Sequence, residues 1–293
     1  LTVGFNRVIY KLRKDMYKKV LAAVNEFSNS EIAARYALTL ARSAHARLFL
    51  VFVAEEKIDR DRLRHAESAL ERLFLEAGNN GVEVESSIER GDPAGKINEL
   101  VKQHGIDIVF TATRREDVKK RFFVRTVARQ LMMELPCSVA MVRVVRMGGT
   151  HLKNILVPVR DRISGIEERA YFVAKLAEAS DSSVTLFHLH KPITSFFRGE
   201  IHLTPFQREK QIPEDVEEFW MHLKKYKIPY ERKTGLGSVA RAITIEAAHR
   251  RNDLIVMGAS DRSLLSSIVK GNPVENVLRE TPCNLIIFRA GRK

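Results

Sequence analysis

IDIVFTATRREDVKKRFFVRTVARQLMMELPCSVAMV (Ile106–Val142) returns as NDLIVMGASDRSLLSSIVKGNPVENVLRETPCNLIIF (Asn252–Phe288) without a gap. Asp107 aligns with Asp253, Pro136 with Pro282 and Cys137 with Cys283, all at 283 − 137 = 146. A period this long is too large for a solenoid repeat and suits two similar globular domains in tandem. In the same register Gly258 and Gly271 of the second copy face Ala112 and Arg125 of the first. That difference is the sharpest functional signal in the chain.

Bulk properties fit two domains. The chain has 293 residues, 45% hydrophobic and 29% charged, which is a globular composition with enough length for two buried cores. No apolar run approaches the roughly 18 residues needed to span a membrane, and nothing reads as a signal peptide. The two cysteines fall one per domain at the same repeat position, so they read as small core residues in a reducing, cytoplasmic setting. A net charge of +13 and a pI near 9.8 admit an anionic membrane surface or acidic ligands. Nucleic acid is disfavoured, because none of its recognition signatures is present.

Each copy alternates short β-branched runs with helical periods. KKVLAAVN, RLFLVFVA, VEVESSIERG, IDIVFTA and SVAMVRVV read as strands of the first copy, with four helices between them. NILVPVRD, SVTLFHLHK, YERKTG, DLIVMGA and NLIIFRA repeat the pattern. Five strands alternating with four helices predict an α/β fold in each domain: a five-stranded parallel, Rossmann-like sheet with helices on both faces. The expected layout is a leading amphipathic segment at 1–17, domain one at 18–146, a linker at 147–152 and domain two at 153–293. The fifth strands, both apolar, are expected at the edge the two halves share. A homodimer stays open. The second copy is longer by 11 residues, which fall in 193–211 just past its second strand, as a surface excursion or a lid.

Ligands of such sheets bind at the carboxyl ends of the strands, at the topological switch point. Gly258 ends a buried strand, where a missing Cβ lets a ligand approach the backbone. Gly271 precedes Asn272 as N-cap, Pro273 as first helical residue, then Val274, and Glu275 at the capping-box position. A helix start so specified offers N–H groups to an anion.

GDPAGKI (Gly91–Ile97) is one residue short of a P-loop, and Ile97 cannot hold magnesium. GLGSVA (Gly235–Ala240) follows a third strand, not a first, so it is no dinucleotide fingerprint. His188 and His190 alternate on one strand without an acid or cysteine companion and read as core and rim. No catalytic or metal-binding spacing is visible, so no catalytic residue is assigned and no structural metal is expected.

DLIVMGAS, GNPVENVL and the closing PC-x-LII resemble the universal stress protein family, as do both strand–helix openings and the turns RGDPAGKI and GLGSVARAI. The resemblance runs from Lys18 to Arg289 and implies two adenine nucleotide α-hydrolase-like domains. It also implies a G-x2-G-x9-G-[S/T] loop holding ATP phosphates, with an Asp at the end of strand one. In the second copy Gly258 and Gly271 match, Asp261 replaces the middle glycine, Asn272 replaces the hydroxyl residue and Arg160 replaces the Asp, with Asp161 next to it. The implied nucleotide site is therefore Val159, Arg160, Asp161, Gly258, Ser260, Asp261, Gly271, Asn272, Pro273 and Val274. In the first copy Ala112, Arg115, Arg125 and Thr126 stand at the motif positions and Asn25 replaces the Asp, which disfavours ATP there.

The resemblance thus implies a non-enzymatic stress-response module, at most a slow ATPase, that holds ATP or another adenine nucleotide in its second domain. The alternative is a ligand-free scaffold. Phe5, Val8, Ile9 and Leu12 form an apolar stripe beside Arg7, Lys11, Arg13 and Lys14. A basic amphipathic segment of this kind suits a membrane interface. Tandem modules of this family also form cytosolic tails of amino-acid permeases and cation–proton antiporters, so a transporter fragment at the inner membrane face is one expectation. The basic loop 114–125 would then contact anionic lipid or an acidic membrane-protein partner.

Overall fold

The computed structural model describes residues 16–113, 126–148, 151–189, 212–235, 237–259 and 273–292. The amphipathic stripe, the basic loop 114–125, the extra residues 193–211, His190 and the site candidates Ser260, Asp261, Gly271 and Asn272 lie outside the described residues.

The first half runs β1 (Lys19–Val24), α1 (Ser28–Ser43), β2 (Arg47–Ala54), α2 (Arg60–Asn79), β3 (Val84–Arg90), α3 (Pro93–His104), β4 (Ile108–Ala112), α4 (Val127–Glu134) and β5 (Ser138–Arg143). The second runs β6 (Asn154–Val159), α5 (Ile166–Ser180), β7 (Ser183–Leu189), α6 (Glu214–Lys225), β8 (Tyr230–Gly235), α7 (Val239–His249), β9 (Leu254–Gly258), α8 (Pro273–Glu280) and β10 (Asn284–Arg289). Local chemistry sets these limits. Asp92 Oδ2 accepts from the Gly95 N–H at 2.8 Å and Pro93 opens α3, while Gly105 stops it in the left-handed region at φ 60°. The GDPAGK segment is thus a helix cap, not a phosphate loop.

Each half has the strand order 3-2-1-4-5 with all strands parallel, and the two halves join into one ten-stranded sheet, β3-β2-β1-β4-β5-β10-β9-β6-β7-β8. The join is the antiparallel pair β5–β10. Met141 pairs with Ile287, its own repeat equivalent (287 − 141 = 146), so a pseudo-two-fold axis passes through that pair. Strand directions reverse across the axis, and the carboxyl ends of the two halves point to opposite edges of the sheet.

One apolar core runs under α1, α2, α5 and α6 without a break between the halves. Phe172 stacks on Phe288 with ring centroids 4.5 Å apart and reaches Phe110 of the first half at 6.0 Å. The opposite face is filled beneath α3, α4, α7 and α8. Tyr17 corrects the expected boundary at 17. It is buried, its ring meets Tyr171 edge-on at 5.3 Å, and its hydroxyl donates to Glu168 Oε1 at 3.0 Å, so it belongs to the junction of the halves.

The repeated aspartates do structural work. Asp107 Oδ2 accepts from the N–H groups of Lys18 and Lys19 at 2.7 and 2.9 Å. Asp253 Oδ2 does the same for Lys153 and Asn154 at 2.8 and 3.0 Å. Each carboxylate ties the start of its domain's first strand to the strand beside it.

Arg289 bonds across the seam. It is buried, and its guanidinium donates to the Leu135 and Cys137 carbonyls at 2.7 and 2.8 Å, at the carboxyl end of α4. A cation there complements the helix dipole and satisfies end carbonyls. Arg289→Ala would strand those carbonyls away from water. We expect it to lower stability by about 3 kcal/mol, since bonds to a charged donor contribute roughly 1.5–3 kcal/mol each. Urea unfolding should show a lower midpoint at unchanged slope.

Candidate functional site

Two switch points follow from the strand order, one where β1 separates β2 from β4 and one where β6 separates β7 from β9. They open on opposite edges of the sheet.

The first crevice is a cavity of about 230 Å³ whose walls include Val24, Asn25, Glu26, Phe52, Ala112 and Thr126. Asn25 Oδ1 accepts from the Phe27 N–H at 3.0 Å, folding the turn that leads into α1. Thr126 Oγ1 accepts from the Arg129 N–H at 3.3 Å and caps α4, the capping role expected of a hydroxyl residue at the start of this helix. Glu26 is largely buried and takes both Nε and a terminal nitrogen of Arg62, at 2.9 and 2.5 Å. A carboxylate already matched to its own arginine leaves this mouth poorly suited to a polyphosphate.

At the second crevice Val159 is buried at the end of β6 and Arg160 is exposed beside it. Asp161 Oδ1 lies 3.7 Å from Nε2 of His188, and the buried His188 sets Nδ1 3.3 Å from the Val159 carbonyl. His188 therefore locks the end of β6 to β7. Because β9 and β10 are parallel neighbours, α8 runs antiparallel to them and begins, at Pro273, on this same edge. Val274 turns into the core. Glu275 accepts from Arg279 at 2.7 Å, an i,i+4 pair along the helix, and its expected capping partner, Asn272, lies outside the described residues.

Gly258 holds what sequence reading missed. The space beside its Cα belongs to Arg169 of α5; a Cβ on Gly258 would stand 2.2 Å from a terminal nitrogen of that guanidinium. Arg169 donates to the Pro158 carbonyl at 3.0 Å and lies 5.9 Å over the Phe219 ring. The β6–β9 ladder runs through Ile155 and Leu156 only, and Pro158, which has no N–H, stands just beyond it. The arginine fills the resulting gap. Burial pulls its pKa down to about 10, with a further contribution from Arg160, so it remains charged at neutral pH. The matching position in α1 is Ala33: 169 − 33 = 136, the spacing that also pairs the fully buried Phe172 with Tyr36 and Leu176 with Leu40. No local sequence signal marks Arg169, because the glycine that accommodates it is distant in the chain.

A third opening, a groove of about 1080 Å³, lies between the halves and is walled by Tyr17, Asp107, Cys137, Ser138, Glu168 and Arg289. Glu168 organises it, accepting from the Tyr17 and Ser138 hydroxyls and, at 3.3 Å, from the Gly291 N–H. Among the described residues no group of three His, Cys, Asp or Glu side chains could hold a metal ion. Nor, among them, is any helix long and apolar enough to cross a membrane.

The model of the universal stress protein family matches twice in tandem, over residues 16–143 and 151–289. The chain belongs to the universal stress protein family. Solved structures give the same fold. A universal stress protein from Archaeoglobus fulgidus is 15% identical, covering 93% of this chain and 96% of its own, with a TM-score of 0.61. A putative universal stress protein from Pseudomonas aeruginosa is 17% identical over 94% of both chains, with a TM-score of 0.62. A functionally unknown protein from Pseudomonas aeruginosa PAO1 is 16% identical over 94% of both, also at 0.62. At these identities the likeness is one of fold. No curated protein matches the chain in sequence.

The stress protein cysteines are both free thiols. Cys283 is buried as expected, whereas Cys137 is only half-buried because it faces the groove. Burial nevertheless pushes the Cys137 thiol up to about 12, against the opposing pull of Arg289, and Cys283 up to about 11. Thiolate is the reactive form. Iodoacetamide at pH 8 should therefore modify native Cys137 far more slowly than an unfolded thiol, with a rate still climbing beyond pH 10. Unfolding in urea should abolish the difference.

Proposed function

We propose that this chain is a non-catalytic regulatory module that binds one adenine nucleotide, ATP or a close relative, in its second crevice. The reading rests on the contrast between the two switch points. The second keeps a glycine at the end of its fourth strand, beside an exposed Arg160 and on the edge where α8 begins. The first has Ala112 in that place and the Glu26 carboxylate in its wall. Phosphate favours the former on charge. Gly271, Asn272, Ser260 and Asp261 complete the proposed site on the family motif, with Val159, Asp161, Pro273 and Val274 around them.

Calorimetric titration of the whole chain with ATP should give one site per chain. Gly271→Arg, which copies the residue of the first domain, should abolish it and leave the urea midpoint within the error of the unmodified chain. Two equivalent sites, or one that survives Gly271→Arg, would overturn the placement in the second domain. Absence of any binding would overturn the nucleotide reading and favour the ligand-free scaffold.

A further inference from the structure

Among the described residues little offsets the charge of Arg169 where it stands. Its guanidinium is enclosed; among the described residues it bonds to the Pro158 carbonyl and lies over the Phe219 ring, and its Nε finds no acceptor. Among the described residues no carboxylate pairs with it, and the charged group that perturbs it is another cation, Arg160. Buried arginines normally sit opposite an acid or a fan of carbonyls, as Arg289 does, because an isolated charge in a protein interior is expensive. As a filler of the gap by Gly258, a methionine would serve without that cost. The first domain manages with Ala33 at the matching position. The arginine also sits at the switch point, where β6 parts from β9 beyond Leu156.

We infer that Arg169 is the anion receptor of the second crevice, a planar guanidinium presented at Gly258 to take a phosphate group of the ligand. A guanidinium binds phosphate through paired N–H donors, and Arg160 adds a second positive charge at the same mouth. Gly258 then acts indirectly: its missing Cβ makes room for the arginine, and the arginine meets the anion. Affinity in this crevice is set by the phosphate more than by the base or sugar. The inference deepens the nucleotide reading and rests on it only for the identity of the phosphate's carrier.

Calorimetry on the whole chain separates the two ideas, using ATP, adenosine and inorganic pyrophosphate against wild type, Arg169→Met and Arg169→Lys. Wild type should bind ATP at least tenfold more tightly than adenosine, and should bind pyrophosphate measurably. Arg169→Met should lose tenfold or more for ATP and pyrophosphate, with adenosine changed less than twofold. Arg169→Lys, which keeps the charge but not the fork, should fall between. Removing an unpaired buried charge should leave the urea midpoint of Arg169→Met equal to wild type or higher. A lowered midpoint together with unchanged ATP affinity would overturn the inference and make Arg169 a structural filler, while leaving the nucleotide reading intact. Arg169-dependent binding of pyrophosphate without any binding of ATP would do the reverse. If neither anion binds wild type, the inference fails.

Discussion

The antiparallel pairing of β5 with β10 is the constraint from which the rest of the molecule follows. Each five-stranded half ends in an apolar strand with one unpaired edge, an arrangement that invites aggregation unless something covers it. Here the other half covers it. Leu285 to Arg289 pair with Arg143 to Val139, and all of these residues are buried. Because the pairing is antiparallel and centred on equivalent residues, it generates a two-fold relation and sends the two switch points to opposite edges. A parallel join would have put both on one edge, where they could share a ligand. The seam therefore keeps the two crevices apart.

The seam also explains the polar residues buried around it. Asn284 begins β10, and its Oδ1 accepts from the N–H groups of Val145 and Arg146 at 2.8 and 2.9 Å, while its Nδ2 donates to the Tyr36 hydroxyl at 3.0 Å. Its repeat equivalent, Ser138 (284 − 138 = 146), bonds instead to Glu168, which also holds Tyr17. Burial, with Glu168 beside it, pushes the Tyr17 phenol well above its ordinary pKa, and Tyr36 rises to about 12 for the same first cause. Both phenols thus stay neutral donors or acceptors through the physiological range. The two flanks of the axis solve one problem, closing the ends of β5 and β10, with different side chains. Symmetry is kept in the backbone and given up in the polar contacts.

What the sequence made legible was whatever is encoded locally or by repetition. The alternation of strands and helices and the pairing of the fifth strands follow from short-range periodicity and from the 146-residue register. What escaped depends on contacts between distant positions. Tyr17 looked like part of a leading segment because its partners, Tyr171 and Glu168, lie in the other half. Cys137 looked like its buried twin because the groove beside it is made by residues near Ile163 and Gly291. Gly258 was read as a place where a ligand approaches the backbone, but its nearest occupant among the described residues is a side chain from α5. A glycine in a sequence marks where space is needed and says nothing about what takes it.

That last point bears on how two such crevices can diverge within one chain. A symmetric homodimer presents two identical sites, and any change appears in both. A tandem repeat frees each copy, provided the change does not reach the shared core. The Ala33/Arg169 position meets that condition. It lies on α1 or α5 at the sheet's switch point, whereas the aromatic stack that continues the core across the seam is built from Phe172, Phe288 and Phe110. The gap that admits the arginine is made by Pro158 and Gly258, both in the second half, so nothing in the first has to adjust. In the first half the same architectural opening holds Asn25, which folds the turn into α1, and Glu26, which is paired with Arg62. One fold, doubled and joined through its fifth strands, thus carries two crevices lined by different residues and set on opposite edges of the sheet.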